Sequence, residues 1–302
     1  MTLLLHPGFH KTATSWLQDV VFAENRLFRS LMTHHEIDEL LVRPHDLAFD
    51  AEAAKARIAG LREGGQPGIV DVISSEILSG TMFTGSRESL RLADRLQAVV
   101  GEAKILLTVR SQRSIMKSVY LQYVKRGGRM SIDEFLDYKP EPGYFWFEPG
   151  VLEFDRLAET YADRFGADNV IVLPQELLKS QQPEYLGLLF QFAGVADLAQ
   201  ARSITFGSER GVSPPAGGIR LMRAANILGR QPLNPEGISS AAFLRRPLHK
   251  LAYAWTLGSD SADKAMNDSI RSRLAGRYGE SNRRLQRFAP VDLRSLGYEW
   301  AE

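Results

Sequence analysis

The chain has no cysteine, which excludes disulfides, thiolate metal sites and a cysteine nucleophile and leaves the redox compartment unmarked. No apolar run approaches the roughly 20 residues that span a bilayer. The first apolar segment begins at residue 2, too early for a secretory leader, so the expectation is a cytoplasmic protein without a transmembrane segment. Strong charge is lacking as well. The formal net charge is +1, without the basic excess usual in nucleic-acid binders, and no nucleic-acid partner is expected. Internal repeats and low-complexity tracts are absent. The composition, 44% hydrophobic and 24% charged over 302 residues, suits one large domain with a full core, or two domains at most.

The near-neutral total hides an asymmetry. Residues 201–302 hold 16 Lys or Arg against 9 Asp or Glu, whereas residues 1–200 hold 21 against 27. The last third, with Arg210, Arg220, Arg223, Arg245, Arg246, Arg283 and Arg284, can face an anionic ligand or acceptor, or present solvated helix faces.

The stretch His6–Gln18, reading HPGFHKTATSWLQ, organises the rest. Thr2 to Leu5 form a short apolar run before it, and Trp16, Leu17, Val20, Val21 and Phe22 recur at helical spacing after it. This predicts strand, tight loop, helix. Such a junction gathers unpaired backbone N–H groups and the positive end of a helix dipole at one point, a site for an oxyanion. Gly8 lies in the loop, Lys11 adds a full charge, and Thr12, Thr14 and Ser15 supply hydroxyl groups. A nucleoside triphosphatase loop would read G-x-x-x-x-G-K-[ST]. Here no Gly directly precedes Lys11, and Ala13 and Thr14 follow Lys-Thr.

Further strands are predicted over residues 68–73, 104–109 and 169–173, alternating with helical segments over 51–63, 86–100, 111–123 and 151–165. That is an α/β protein with a central parallel sheet flanked by helices. Residues just past a strand end lie in the ligand crevice of such a sheet. Glu76, after the second strand, and Arg110, after the third, therefore stand in working positions. Ser118, eight residues beyond Arg110, lies two turns along the following helix, and the pair suits a second oxyanion. His34, His35 and His45 invite a metal reading, but nothing nearby completes a ligand spacing, and no metal is expected. The aromatics of residues 140–150, Tyr144, Phe145, Trp146 and Phe147, would either stack on a ring-shaped acceptor or anchor the loop in the core.

The HKTATSW loop, together with Arg110 to Ser118 and the trailing Tyr120, Tyr123, Lys125 and Gly127, resembles the sulfotransferase family that uses 3′-phosphoadenosine-5′-phosphosulfate. The likeness covers residues 2–194, with 195–302 a mostly helical C-terminal part of the same domain that includes a possible substrate lid. The resemblance implies that Gly8, Lys11, Thr12, Ala13, Thr14 and Ser15 hold the 5′-phosphosulfate. Trp16 would pack on the adenine, and Arg110 and Ser118 would hold the 3′-phosphate. Arg210 and Gly211 are the nearest counterpart of the family's late Arg-Lys-Gly loop, with the Lys missing. The family often places a His after the second strand as base. This chain has Glu76 there, so Glu76 is the expected general base and His10 the fallback, with Lys11 stabilising the leaving phosphate. The implied co-substrate is the phosphosulfate nucleotide without a metal, and the implied acceptor a hydroxyl on a carbohydrate, a glycolipid or another small molecule. Two other readings stay open: a kinase or nucleotidase using a magnesium-bound triphosphate, with Asp71 as metal ligand, and a non-catalytic polyanion-binding protein. Oligomeric state is not legible.

Overall fold

A computed structural model describes residues 2–205, 207 and 214–301. Its sheet has five strands, β1 (Leu3–His6), β2 (Phe28–Ser30), β3 (Val70–Ser74), β4 (Lys104–Val109) and β5 (Val170–Pro174). All pairings are parallel, in the order β2-β3-β1-β4-β5. The α/β class and the parallel sheet expected from the sequence are present. The three-residue edge strand β2 was not anticipated, because so short a run shows no alternation.

The chain divides into two compact units. The first comprises Met1–Ser111, Gly150–Arg210 and Tyr278–Glu302, and the second Gln112–Pro149 and Gly211–Arg277. In the first unit the strands are apolar on both faces, as a covered parallel sheet requires. Leu4, Val70, Val72, Leu106, Ile171 and Leu173 pack on one side against Trp16, Leu17, Val21, Leu177, Tyr185, Leu189 and Phe190. The alternate residues Leu5, Ile73, Ile105, Leu107 and Val172 are equally buried. The helices Ala51–Arg62, Ser89–Val100, Phe154–Phe165 and Gly279–Leu285 pack side by side in sequence. Asp71 is the buried charge of this sheet. It takes Arg29 at 2.7 Å from the paired position of β2 and Arg62 at 3.5 Å from a helix end.

The second unit is helical, built on Gln112–Lys125, Ile132–Asp137, Ile219–Ala225, Ala242–Ala254 and Ser259–Leu274. Ser131 and Glu134 form the reciprocal capping box that their spacing signals. Tyr120, Tyr123, Phe135, Trp146 and Phe147 make an aromatic cluster. The 140–150 loop therefore divides: Trp146 donates its indole N–H to the Phe135 carbonyl, while Tyr144 and Phe145 are exposed. Buried Asn226 donates to the carbonyls of Val124 and Gly128 and pairs with His249, which ties the segment after Pro215 to the first helix of this unit. No helix among the described residues is long and apolar enough to cross a membrane.

Candidate functional site

The order of the strands marks the carboxyl end of β1. From β1 the chain leaves toward β2, and from its neighbour β3 it leaves in the opposite direction, toward β4. Ligands of open α/β sheets bind outside the carboxyl ends of strands at such a reversal. The loop after β1 and the Ser75–Glu76 turn after β3 both lie at this edge, since His6 and Ser74 are paired in register.

The loop is held from beneath by polar side chains that end three adjacent strands. Thr12 Oγ1 donates to the Phe9 carbonyl at 2.5 Å, and Thr108 Oγ1 lies 2.7 Å from Thr12. His6 Nε2 is 3.1 Å from Thr108, His6 Nδ1 is 2.8 Å from Ser74 Oγ, and Gln18 Nε2 donates to Ser74 Oγ at 3.1 Å. The carbonyl at one end and the amide at the other assign the proton order: Gln18 to Ser74 to His6 to Thr108 to Thr12 to Phe9. Every hydroxyl then donates once, and His6 is the neutral tautomer with its proton on Nε2. Complete burial lowers the His6 pKa to about 3, in keeping with that neutral role. Gly8 passes directly over this row. A Cβ there would meet His6 Nε2 and Thr108 Oγ1 at 2.4 Å each.

Above the row the backbone is bent. Lys11 and Ala13, neither of them glycine, both adopt φ 68°, a left-handed conformation that costs roughly 1–2 kcal/mol per residue. Left-handed residues interspersed in a loop turn successive amides inward and make an anion-binding concavity. Strain of this kind gathers at ligand sites. The helix begins directly afterwards, at Thr14–Trp16, with no side-chain cap on its first amides, and continues as a wider turn over Leu17–Val21. Lys11 and Ser15 are exposed and Thr14 is buried. Thr12 differs from expectation. Its one hydroxyl proton goes to Phe9, so it can offer an anion its amide and not its hydroxyl.

His10 lies within the loop, and Glu76 is in its electrostatic range. His10 Nε2 donates to the Gly80 carbonyl at 3.0 Å, which leaves the lone pair on Nδ1. Burial is the largest effect on His10 and lowers its pKa. The Glu76 carboxylate and the Gly80 carbonyl act in the raising direction, and His34 and Lys11 add to the fall. His10 is thus a neutral imidazole at pH 7 in the field of a carboxylate and an ammonium. Glu76 is half-buried at the start of a short turn that Ser75 caps. His34 shares a 2.8 Å hydrogen bond with that Ser75.

The remaining residues occupy different surroundings. Arg110 is half-buried at the end of β4. The strand end is fixed by Glu176, which accepts from the Ser111 amide at 3.0 Å and from the Tyr298 hydroxyl at 3.1 Å. Burial, the largest effect, and Glu176 raise the Tyr298 pKa well above its ordinary value, against the field of Arg110. Ser118 is buried in the helix Gln112–Lys125 of the second unit. Trp16 is 4% exposed within the core, with its indole N–H on the Gly207 carbonyl at 2.8 Å. Arg210 and Gly211 lie outside the described residues. His35 pairs with Glu39 at 3.7 Å and His45 caps its own turn. Among the described residues no three His, Asp or Glu are grouped to hold a metal ion.

Sequence reasoning missed His6, Ser74, Thr108 and Gln18. The only available signal was a polar residue near the end of each of three apolar strands, which becomes meaningful once the strands are aligned.

A 2-3-1-4-5 parallel sheet whose central strand leads through a left-handed loop into a helix defines a P-loop-like α/β protein. Among solved structures the chain is similar to a sulfotransferase from Alicyclobacillus acidocaldarius, with 17% identity and a TM-score of 0.51 over 75% of this chain and 93% of that one. A sulfotransferase domain from the curacin biosynthetic pathway matches over 91% of this chain and 97% of its own, at 14% identity and a TM-score of 0.41. The fold is that of the bacterial sulfotransferase. No family model and no curated protein matches the sequence.

Proposed function

We propose that the protein is a sulfotransferase that moves a sulfuryl group from 3′-phosphoadenosine-5′-phosphosulfate to an acceptor hydroxyl, on a carbohydrate or glycolipid. The observation that supports this reading is the left-handed backbone at Lys11 and Ala13, a conformation suited to an anion concavity, in a loop whose His10 feels both Glu76 and Lys11. An anion site alone binds. An anion site with a carboxylate and a neutral imidazole beside it can also accept a proton from an attacking hydroxyl.

In this mechanism the acceptor oxygen forms a bond to sulfur as the bond from sulfur to the bridging phosphate oxygen breaks. The acceptor proton passes to Glu76. The charge that develops on the leaving phosphate meets Lys11 and the loop amides, which are oriented before reaction. Arg110 takes the 3′-phosphate, for which a planar fork of donors is suited. The triphosphate alternative loses its metal ligand, because Asp71 is buried and engaged by Arg29 and Arg62.

Calorimetric titration tests the donor. Binding of 3′-phosphoadenosine-5′-phosphate at micromolar concentration in chelator, with little binding of adenosine diphosphate and magnesium, is the expected result. The reverse preference would make the triphosphate enzyme the better reading. Nucleotide binding without transfer to any acceptor would favour the non-catalytic one.

A further inference from the structure

The helix Ala242–Ala254 in the second unit has its apolar residues on the wrong side for a helix that only packs on its own fold. At about 3.6 residues per turn, buried Ala252 marks the inward face, with Leu248 and His249 half-buried beside it. The opposite face should be polar. Instead it carries Phe243, Pro247 and Ala254, and Leu244 and Leu251 extend the apolar arc along one flank, all exposed, Phe243 to 73%. The chain continues this surface past the helix with Trp255 at 42% and Leu257 at 79% exposure. Arg246, Lys250 and Tyr253 form the adjoining arc.

Charge narrows the occupant. No Asp or Glu occurs between Glu236 and Asp260, while Arg245, Arg246 and Lys250 fall inside that span. Two copies meeting through this face would oppose Arg246 and Lys250 to like charges, and residues 242–257 carry no carboxylate of their own to offset them. The apolar residues sit on the outward side and flank of a helix, which suits a deformable surface better than a peptide. An apolar arc bordered by cations and by Trp and Tyr is the pattern of a helix lying in a lipid headgroup layer.

We propose that residues 242–257 form a membrane-docking element that seats this protein on an anionic lipid surface, with Phe243, Leu251, Trp255 and Leu257 entering the acyl boundary and Arg246 and Lys250 meeting the headgroups. The inference stands whether or not the sulfuryl-transfer reading does.

Flotation of the full chain with extruded vesicles tests it. Vesicles of phosphatidylcholine mixed with phosphatidylglycerol should carry the protein, and phosphatidylcholine alone should carry much less. Each charge removed in Arg246→Gln and Lys250→Gln should weaken partition about fivefold, and added salt should do the same. Phe243→Ser should weaken it roughly tenfold. A blue shift of tryptophan fluorescence on binding should vanish in Trp255→Phe. These positions are exposed, so the melting temperature of each variant should match that of the parent. Failure to float with anionic vesicles, or flotation indifferent to these substitutions, overturns the proposal. So does a dimer that Phe243→Ser dissociates in the absence of lipid binding, because the face would then belong to a second copy. Capture of an acidic helical peptide in place of vesicles would equally assign it to a protein partner.

Discussion

His6 carries a charge-state constraint that reaches the stability of the whole first unit. It is fully buried between Ser74 and Thr108, with its pKa lowered from 6.5 to about 3. The unfolded chain therefore takes up a proton near pH 6.5 that the folded chain refuses. Stability from this group is complete above that pH and falls as pH drops toward 3. The expected loss between pH 7 and pH 5 is about 2 kcal/mol. Urea unfolding at the two pH values measures it, and His6→Gln should flatten the dependence even if it lowers stability throughout. An unchanged slope in the variant would mean that other groups set the acid limb. For the proposed chemistry, Glu76→Gln keeps size and hydrogen bonding but removes the basic oxygen. It should reduce turnover by about 10²–10⁴-fold while nucleotide affinity stays within a few fold. A variant retaining near-normal turnover would move the role to His10, whose Nδ1 lone pair is left open by the bond from Nε2 to Gly80.

The loop after β1 shows which parts of an element a sequence exposes. Lys11 and the Gly-containing junction were legible because a strand, a short polar break and a helical period occur in direct succession. The left-handed Lys11 and Ala13 were not, since neither residue type favours that conformation and nothing local signals it. Thr12 was read as an anion ligand because hydroxyls at a helix start usually serve there. The competing acceptor, the Phe9 carbonyl, is visible only in three dimensions. Gly8 entered the sequence reading only as a member of the oxyanion loop, and the fold supplies a separate reason for it, the row of His6 and Thr108 beneath it. Gly8→Ala therefore should not act as a mild loop substitution. With a Cβ 2.4 Å from two fixed polar atoms, it should cost about 1–3 kcal/mol and weaken nucleotide binding together with stability. Thermal melting and calorimetry on one sample test the pair, and a variant that loses neither would mean that the row relaxes readily. Glu76 and Arg110 were legible for a different reason: both end strands whose apolar runs are long enough to identify. Strand β2 was not, because three residues paired at a sheet edge leave no period to read.

At the scale of the molecule, the chain leaves the sheet-containing unit twice and returns twice, ending in it with Tyr278–Glu302. The sequence divided the chain at residue 194, where the strand-and-helix alternation stops, and this boundary follows pattern and not contact. The last segment is needed for reasons of charge. Asp155 is fully buried in the helix Phe154–Phe165, and its carboxylate is met by the Ser281 hydroxyl and by Arg284 at 2.7 Å. Glu176, which fixes the β4 end beside Arg110, is met by Tyr298. The segment also buries Leu285, Phe288 and Leu293. A chain stopped after Arg277 would expose that apolar surface and leave Asp155 without its hydroxyl and its guanidinium. Removing the partner of a buried charge costs about 3–5 kcal/mol, reduced here because Arg284 is half exposed, and the lost burial adds several more. The sum approaches the whole stability of an ordinary domain, about 5–15 kcal/mol. The truncated chain should lack a cooperative melt by circular dichroism, and the double variant Ser281→Ala with Arg284→Ala should melt earlier than the parent but still cooperatively. If the truncated chain melted as the full one does, the closing segment would be an appendage, and the order of β4 and Arg110 would have to come from elsewhere in the first unit.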